Sequence, residues 1–339
     1  MHSLGVICCP RNSEDIKLAR GFKKIFPICL RKYALEMTPV VYNTVAFEKL
    51  GLEVEEIQFP FLIEDKDRVS KTRFERALTR IRKVLYQKGI SEIIIDKGTA
   101  ESGLDEHLLS IEKSLRIFDG IGFYGVYIIE ILKYICRKMG IKLQNIPVTL
   151  ILDDVDDFFR NILKDLCTKV RFLSIISVNS ENFIPLVNEI YSEIGLVVRL
   201  EKSIKSKKGD FGILINFSKN KDLVNSNRYS RNFVILNLGA RISNDNINGI
   251  LITDIIIKSK NKDIDKYYWT GKAAFCEALA YVLTGSESKD KTILLNKQKK
   301  ILSGFKAVGY EIIGIKGCRG EIKTGILSDF GERIKPKIV

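Results

Sequence analysis

The chain has 339 residues, 45% of them hydrophobic and 28% charged. This is a globular balance that excludes bulk disorder, and the length fits two domains. The net charge of +14 permits attraction to polyanions, while no apolar run approaches the ~20 residues that cross a bilayer, so no membrane association is expected.

"SLGVICCP" reads as a short buried strand, because a continuous apolar run ends at a proline. "TPVVYNTVAFEKLGL" reads as a helix: Thr38 can cap it, Pro39 sits in its first turn and Gly51 follows its end. "LEVEEIQFPFL" alternates like a strand. "KTRFERALTRIRKVLYQKG" is amphipathic, with Phe74, Leu78, Ile81 and Leu85 at helical spacing, Arg73, Arg76, Arg80 and Lys83 on the polar face, and Gly89 as terminator. "SEIIIDKG" follows as a buried strand. Residues 1–118 therefore read as an N-terminal α/β domain. "GIGFYGVYIIEILKYICRKMG", from Gly120 to Gly140, predicts one long helix within an interdomain segment of residues 119–145.

From residue 146 the alternation resumes. "VTLIL", "RFLSIISVN" and "LVVRLEK" read as strands separated by the helices "VDDFFRNILKDLCTKV" and "ENFIPLVNEIYSEIG". "DFGILINFS", "NFVILNLG" and "GILITDIII" are further apolar runs. This rhythm predicts a Rossmann-like doubly wound parallel sheet over residues 146–285, which "TGKAAFCEALAYVLTG" closes with a helix. Residues 286–339 read as a C-terminal helix followed by the glycine-rich strand and turn "GYEIIGIKGCRGEIKTGIL". The fold class expected is α/β, an N-terminal α/β domain followed by the doubly wound sheet.

Seven cysteines, none spaced C-x-x-C, and only two histidines, His2 and His107, argue against a zinc site or a disulfide framework. The N-terminal "MHSLGVICCPRNSED" lacks the features of a signal peptide, so a cytoplasmic protein is expected. The lysine clusters Lys202–Lys208, Lys258–Lys266 and Lys289–Lys300 contain no interleaved aromatic residues of the kind that line a nucleic-acid groove, so nucleic acid is the less favoured partner.

Several stretches, in order, resemble the shikimate dehydrogenase-like family. "LGVI" resembles its opening strand. "TPVVYNTVAFEKLGLEVEEIQFP" is similar to its next segment, with Tyr42-Asn43 where the family places His-Asn. "DGIGF" (Asp119 to Phe123) and "GIKLQNIPVTLIL" resemble its entry into the cofactor domain, "GDFGILINFSK" its later "ADLVINATP" segment, and "AAFCEALAYVLTG" its late helix. The resemblance implies a two-domain dehydrogenase with a catalytic lysine–aspartate pair and a nicotinamide dinucleotide at a glycine-rich turn. Asp119 is its candidate catalytic aspartate. The lysine segment "N-V-T-x-P-x-K" is missing; Lys71 and Lys97 are present, but nothing in their spacing demands the role.

The cofactor turn departs further, reading Asp153-Asp154-Val155-Asp156-Asp157 where glycines would let a pyrophosphate reach the helix N-terminus. These aspartates either cap a helix, or Asp153, Asp154 and Asp157 hold a cation. No cofactor is expected. Lys316, Gly317, Arg319 and Gly320 form the best anion-site candidate, with a tight β-turn as the structural alternative. The expected function is a binding or regulatory module, with an unknown small molecule or protein in the interdomain cleft. Two rivals stand beside it. One is an enzyme acting on a nucleotide or phosphorylated substrate. The other is a nucleic-acid binder using Lys202–Lys208 and the basic helix face.

Overall fold

The computed structural model of the chain describes residues 2–9, 41–62, 70–95, 108, 114–203, 211–225, 229–240, 242–243, 247–259, 265, 272–283, 310–318 and 320–335. It divides into two compact units, residues 1–122 with 266–289, and residues 123–265 with 290–339.

The first unit is built on a five-stranded sheet in the order β2-β3-β1-β4-β5, from β1 (His2–Cys8), β2 (Val41–Phe47), β3 (Leu52–Gln58), β4 (Glu92–Ile95) and β5 (Arg116–Phe118). All neighbours are parallel except β2, which runs antiparallel to β3. The segment from Thr38, expected as a helix, is therefore a strand over Val41–Phe47, followed by a 3-10 turn, Glu48–Leu50, that Gly51 ends in the left-handed conformation. Val41, Thr44 and Val45 are β-branched and suit a pleated surface. Asn43 and Thr44 also donate to the buried carboxylates of Glu56 (2.9 Å) and Glu55 (2.7 Å) on the next strand. Over Val41–Phe47 this cross-strand pairing favours the strand.

Helix α1 (Lys71–Gln87) lays Ala77, Leu78, Ile81 and Leu85 against Ile7, Ile57 and Ile95 of the sheet. Just beyond its end, Lys88 reaches Glu55 at 2.7 Å, and this hydrogen bond raises the lysine's pKa. The sheet also carries α7 (Lys272–Leu283), whose Phe275 meets Phe47 and whose Tyr281 meets Phe118, at ring centroids of 6.0 and 5.5 Å. The Arg116 guanidinium lies 3.9 Å over the Tyr281 ring while donating to Glu92.

The second unit contains a six-stranded, all-parallel sheet: β6 (Val148–Ile151), β7 (Leu173–Ile176), β8 (Val198–Glu201), β9 (Gly212–Asn216), β10 (Phe233–Asn237) and β11 (Ile250–Ile252). Its spatial order is β11-β10-β9-β6-β7-β8. Counted from β6, this is 3-2-1-4-5-6, the doubly wound Rossmann arrangement, in which the strand order reverses between β6 and β9. The central strands are covered on both faces and are continuous apolar runs: every residue of β9 and β10 is buried. The connections include α4 (Asp157–Cys167), α5 (Ile184–Ile194) and the short α6 (Lys221–Asn225). A second sheet, β12 (Asp254–Ser259), β13 (Tyr310–Gly317) and β14 (Gly320–Glu321), is antiparallel.

The helix expected between Gly120 and Gly140 is two helices, α2 (Ile121–Val126) and α3 (Ile128–Met139), broken at Tyr127. Gly125 has no room for a side chain, since a Cβ would lie 2.4 Å from the Phe158 ring. The aromatic residues here are packing groups. Phe123 stacks on Tyr127 at 4.6 Å and meets Tyr310 edge-on, and the Tyr134 hydroxyl donates to the Ile313 carbonyl at 2.8 Å. Helix α8 (Thr324–Ile334) crosses α3 with Gly331 against the Met139 backbone. Among the described residues no helix is long and apolar enough to cross a membrane.

Candidate functional site

In open α/β sheets the ligand crevice lies beyond the carboxyl ends of the strands, where the strand order reverses. Here those ends are Ile151 of β6 and Asn216 of β9. The chain leaving β6 passes Leu152 and reaches Asp153. The chain leaving β9 passes Phe217 and reaches Ser218 and Lys219. Asp153 joins the two: its carboxylate accepts the Lys219 backbone N–H at 2.7 Å and the Ser218 hydroxyl. Its carbonyl accepts the Ser177 hydroxyl at 3.1 Å, which ties in the end of β7 as well.

Beneath this bridge lies a buried polar layer. The Asn216 amide donates to Asn237 Oδ1 at 2.6 Å and to the Ala240 carbonyl at 3.1 Å, while its Oδ1 accepts the Ser218 N–H at 3.0 Å. Asn216, Ser218 and Ser177 are inaccessible to solvent. The Ser218 hydroxyl also accepts the Asn220 N–H, and the Asn220 side chain accepts the Leu223 N–H. Gly239 allows the close crossing here, because a Cβ would stand 2.1 Å from the Ser218 carbonyl oxygen. Each polar side chain in the layer has a stated partner, as burial requires. Nearby, burial raises the pKa of the Tyr229 phenol, which donates to the Val224 carbonyl at 2.7 Å.

The remaining aspartates of the turn are used locally. Asp156 is the N-cap of α4, its carboxylate accepting the Phe159 N–H at 2.8 Å, and Asp157 lies in the first turn. Asp154 accepts its neighbour's N–H at 2.8 Å and the Asn182 amide at 3.4 Å. Among the described residues no three His, Cys, Asp or Glu side chains converge as a metal centre, so Asp153, Asp154 and Asp157 are not brought together as one.

Asp119 stands two residues before the start of α2, its Oδ1 accepting the Ile121 N–H at 3.0 Å. The glycines of "DGIGF" are packing positions beside α7. Gly120, at φ 90°, lies against the Ala274 backbone, and a Cβ on Gly122 would fall 2.5 Å from the buried Glu277 carboxylate. Lys71 begins α1, and Lys97 lies outside the described residues. Lys316, Gly317 and Gly320 belong to the β13–β14 hairpin, where Lys316 faces Glu321 and Gly317 faces Gly320. The Lys316 carbonyl accepts the Thr253 N–H at 2.8 Å, and Arg319 lies outside the described residues. Arg73, Arg76, Arg80 and Lys83 are on the exposed face of α1. Of Lys202–Lys208, only Lys202 and Ser203 are described, and Lys202 pairs with Glu181 at 3.4 Å.

Sequence reasoning singled out Asp153 but missed its partners Ser177, Ser218 and Lys219, and the Asn216–Asn237 pair. The available signal was that two apolar strand runs, "GILIN" and "FVILN", both end in asparagine.

No family model and no curated protein matches the chain. Among solved structures, L-tryptophan dehydrogenase from Nostoc punctiforme is similar at 13% identity, over 99% of this chain and 83% of that one, with a TM-score of 0.33. Quinate dehydrogenase from Corynebacterium glutamicum, solved with NAD, is similar at 10% identity over 89% and 98%, with a TM-score of 0.28. The catalytic subunit of M. jannaschii aspartate transcarbamoylase is similar at 13% identity over 89% and 86%, with a TM-score of 0.31. At these scores the likenesses carry no argument, and the assignment of the second unit to the Rossmann class rests on its own strand order.

Proposed function

We propose that the second unit is a doubly wound domain closed to dinucleotides at its switch point, and that the chain is a cytoplasmic binding or regulatory module and does not transfer hydride. The observation that carries this reading is the Asp153 bridge. A dinucleotide's diphosphate would use the backbone N–H groups at the mouth of this crevice and at the N-terminus of the following helix. The Lys219 N–H is already held by the Asp153 carboxylate, and the Phe159 N–H by the Asp156 carboxylate. A diphosphate would have to displace two internal anions and then sit beside Asp154 and Asp157. Like charges within a few ångströms cost on the order of 1 kcal/mol per pair even in bulk water, and more against a protein wall.

In this reading Asp119 holds the Ile121 N–H and "DGIGF" acts as a packing motif, so neither supplies proton transfer. The test is a hydride-transfer assay following reduced-nicotinamide absorbance, with NAD or NADP and a panel of hydroxy and amino acids. No turnover above the protein-free rate is expected. Steady turnover that scales with protein concentration would overturn the reading.

A further inference from the structure

We propose that β8 is a self-association edge, which pairs antiparallel with β8 of a second copy about a two-fold axis midway between the two Leu200 residues. Among the described residues β8 ends the six-stranded sheet, and an outer strand presents backbone groups that can template another strand. Its sequence is suited to one partner, itself. In an antiparallel pair centred on Leu200, Arg199 stands opposite Glu201 of the second copy and Glu201 opposite its Arg199. Leu200 meets Leu200, and Val198 meets Lys202. Arg199 and Glu201 lie on the same face of the strand, Arg199 has 76% of its side chain in solvent, and within one chain the two are 3.6 Å apart. The two-fold turns this intrachain contact into two cross-strand ion pairs without moving the backbone, and opposite charges directly facing each other favour such pairing.

A separate observation concerns α5, the helix that flanks β8. Leu186 and Ile190 are its buried residues, while Glu189 and Glu193 take Lys164 of α4 at 2.7 and 2.8 Å. At 100° per residue, Ile184 and Tyr191 lie about 140–180° around the helix from those glutamates, on the side away from α4. That is the side towards the β8 edge, and both are exposed large hydrophobics, as is Val197 immediately before β8. Joining two sheets edge to edge would bring this apolar strip of α5 beside the same strip of the second copy. Among the described residues the edge thus offers an outer strand, a self-complementary charge pair and apolar flanking surface.

The test is sedimentation of the full chain at micromolar concentration, with two variants altered only at these side chains. The wild type is expected to reach a dimer. Arg199→Glu places glutamates opposite each other at two symmetric positions and should weaken self-association about tenfold or more. The charge-swapped R199E/E201R restores both pairs and should restore the dimer. A wild type that stays monomeric, an Arg199→Glu variant that dimerises as tightly as wild type, or a swap that fails to recover would each overturn the proposal.

Discussion

Replacing Asp153 with alanine removes one carboxylate that holds two chain segments together. It accepts the Lys219 N–H at 2.7 Å and the Ser218 hydroxyl. Hydrogen bonds to a charged group contribute about 1.5–3 kcal/mol each when buried, and a neutral bond about 1 kcal/mol. Asp153 is exposed, so water screens the charge and can satisfy the donors left behind; the lower figures apply, for a loss of roughly 2 kcal/mol. Asp154→Ala is the matched control. Its contacts are its neighbour's N–H and a 3.4 Å contact to Asn182, so its effect should stay within about 0.5 kcal/mol, as for ordinary surface substitutions. Urea unfolding of the three proteins, followed by far-ultraviolet dichroism, gives the midpoints. If Asp153→Ala unfolds with the wild type, or if both variants lose equally, the bridge does not hold the switch point and the reasoning fails.

Other expectations follow from packing and burial. In α8, a Cβ on Gly331 would stand 1.9 Å from the Met139 carbonyl oxygen, while Gly325 faces open space. Gly331→Ala should therefore destabilise by about 2 kcal/mol or more, and Gly325→Ala should be neutral or stabilising by up to about 1 kcal/mol, as read by denaturant midpoints. The same sign for both would contradict the helix crossing. Burial pushes the Cys136 and Cys167 thiols up to about 12, so at pH 8 iodoacetamide should label the exposed Cys318 while both stay protected until the chain unfolds. Since their folded pKa values lie above the unfolded ones, the stability they contribute is complete below pH ~9 and is lost as pH rises from there towards about 12. Prompt labelling of the native chain at Cys136 or Cys167 would refute their burial.

The doubly wound unit was largely legible in the sequence, because strands buried on both faces must be almost wholly apolar, and "VTLI", "GILIN" and "FVILN" are so apart from Thr149 and their terminal asparagines. β2 was not. Gly51 does end a helical turn, the 3-10 segment Glu48–Leu50, but over Val41–Phe47 β-branched residues and bonds to Glu55 and Glu56 on β3 favour a strand, and pairing of that kind is a tertiary fact; Thr38 and Pro39 lie outside the described residues. The break at Tyr127 was equally hidden, since neither proline nor glycine marks that position. At the site, the aspartate run announced its place after β6, and the capping role of Asp156 could be read from spacing. The bridge could not, because Ser218 is 65 residues further along the chain and meets Asp153 only once β9 lies beside β6.

In the proposed function, a carboxylate of the chain itself takes the anion position of a dinucleotide fold. Calorimetric titration of the purified protein with NAD and NADP, oxidised and reduced, at low salt tests it most directly. No binding heat is expected at millimolar ligand. A saturable isotherm in the micromolar range would contradict it, showing that the Asp153 turn admits a diphosphate.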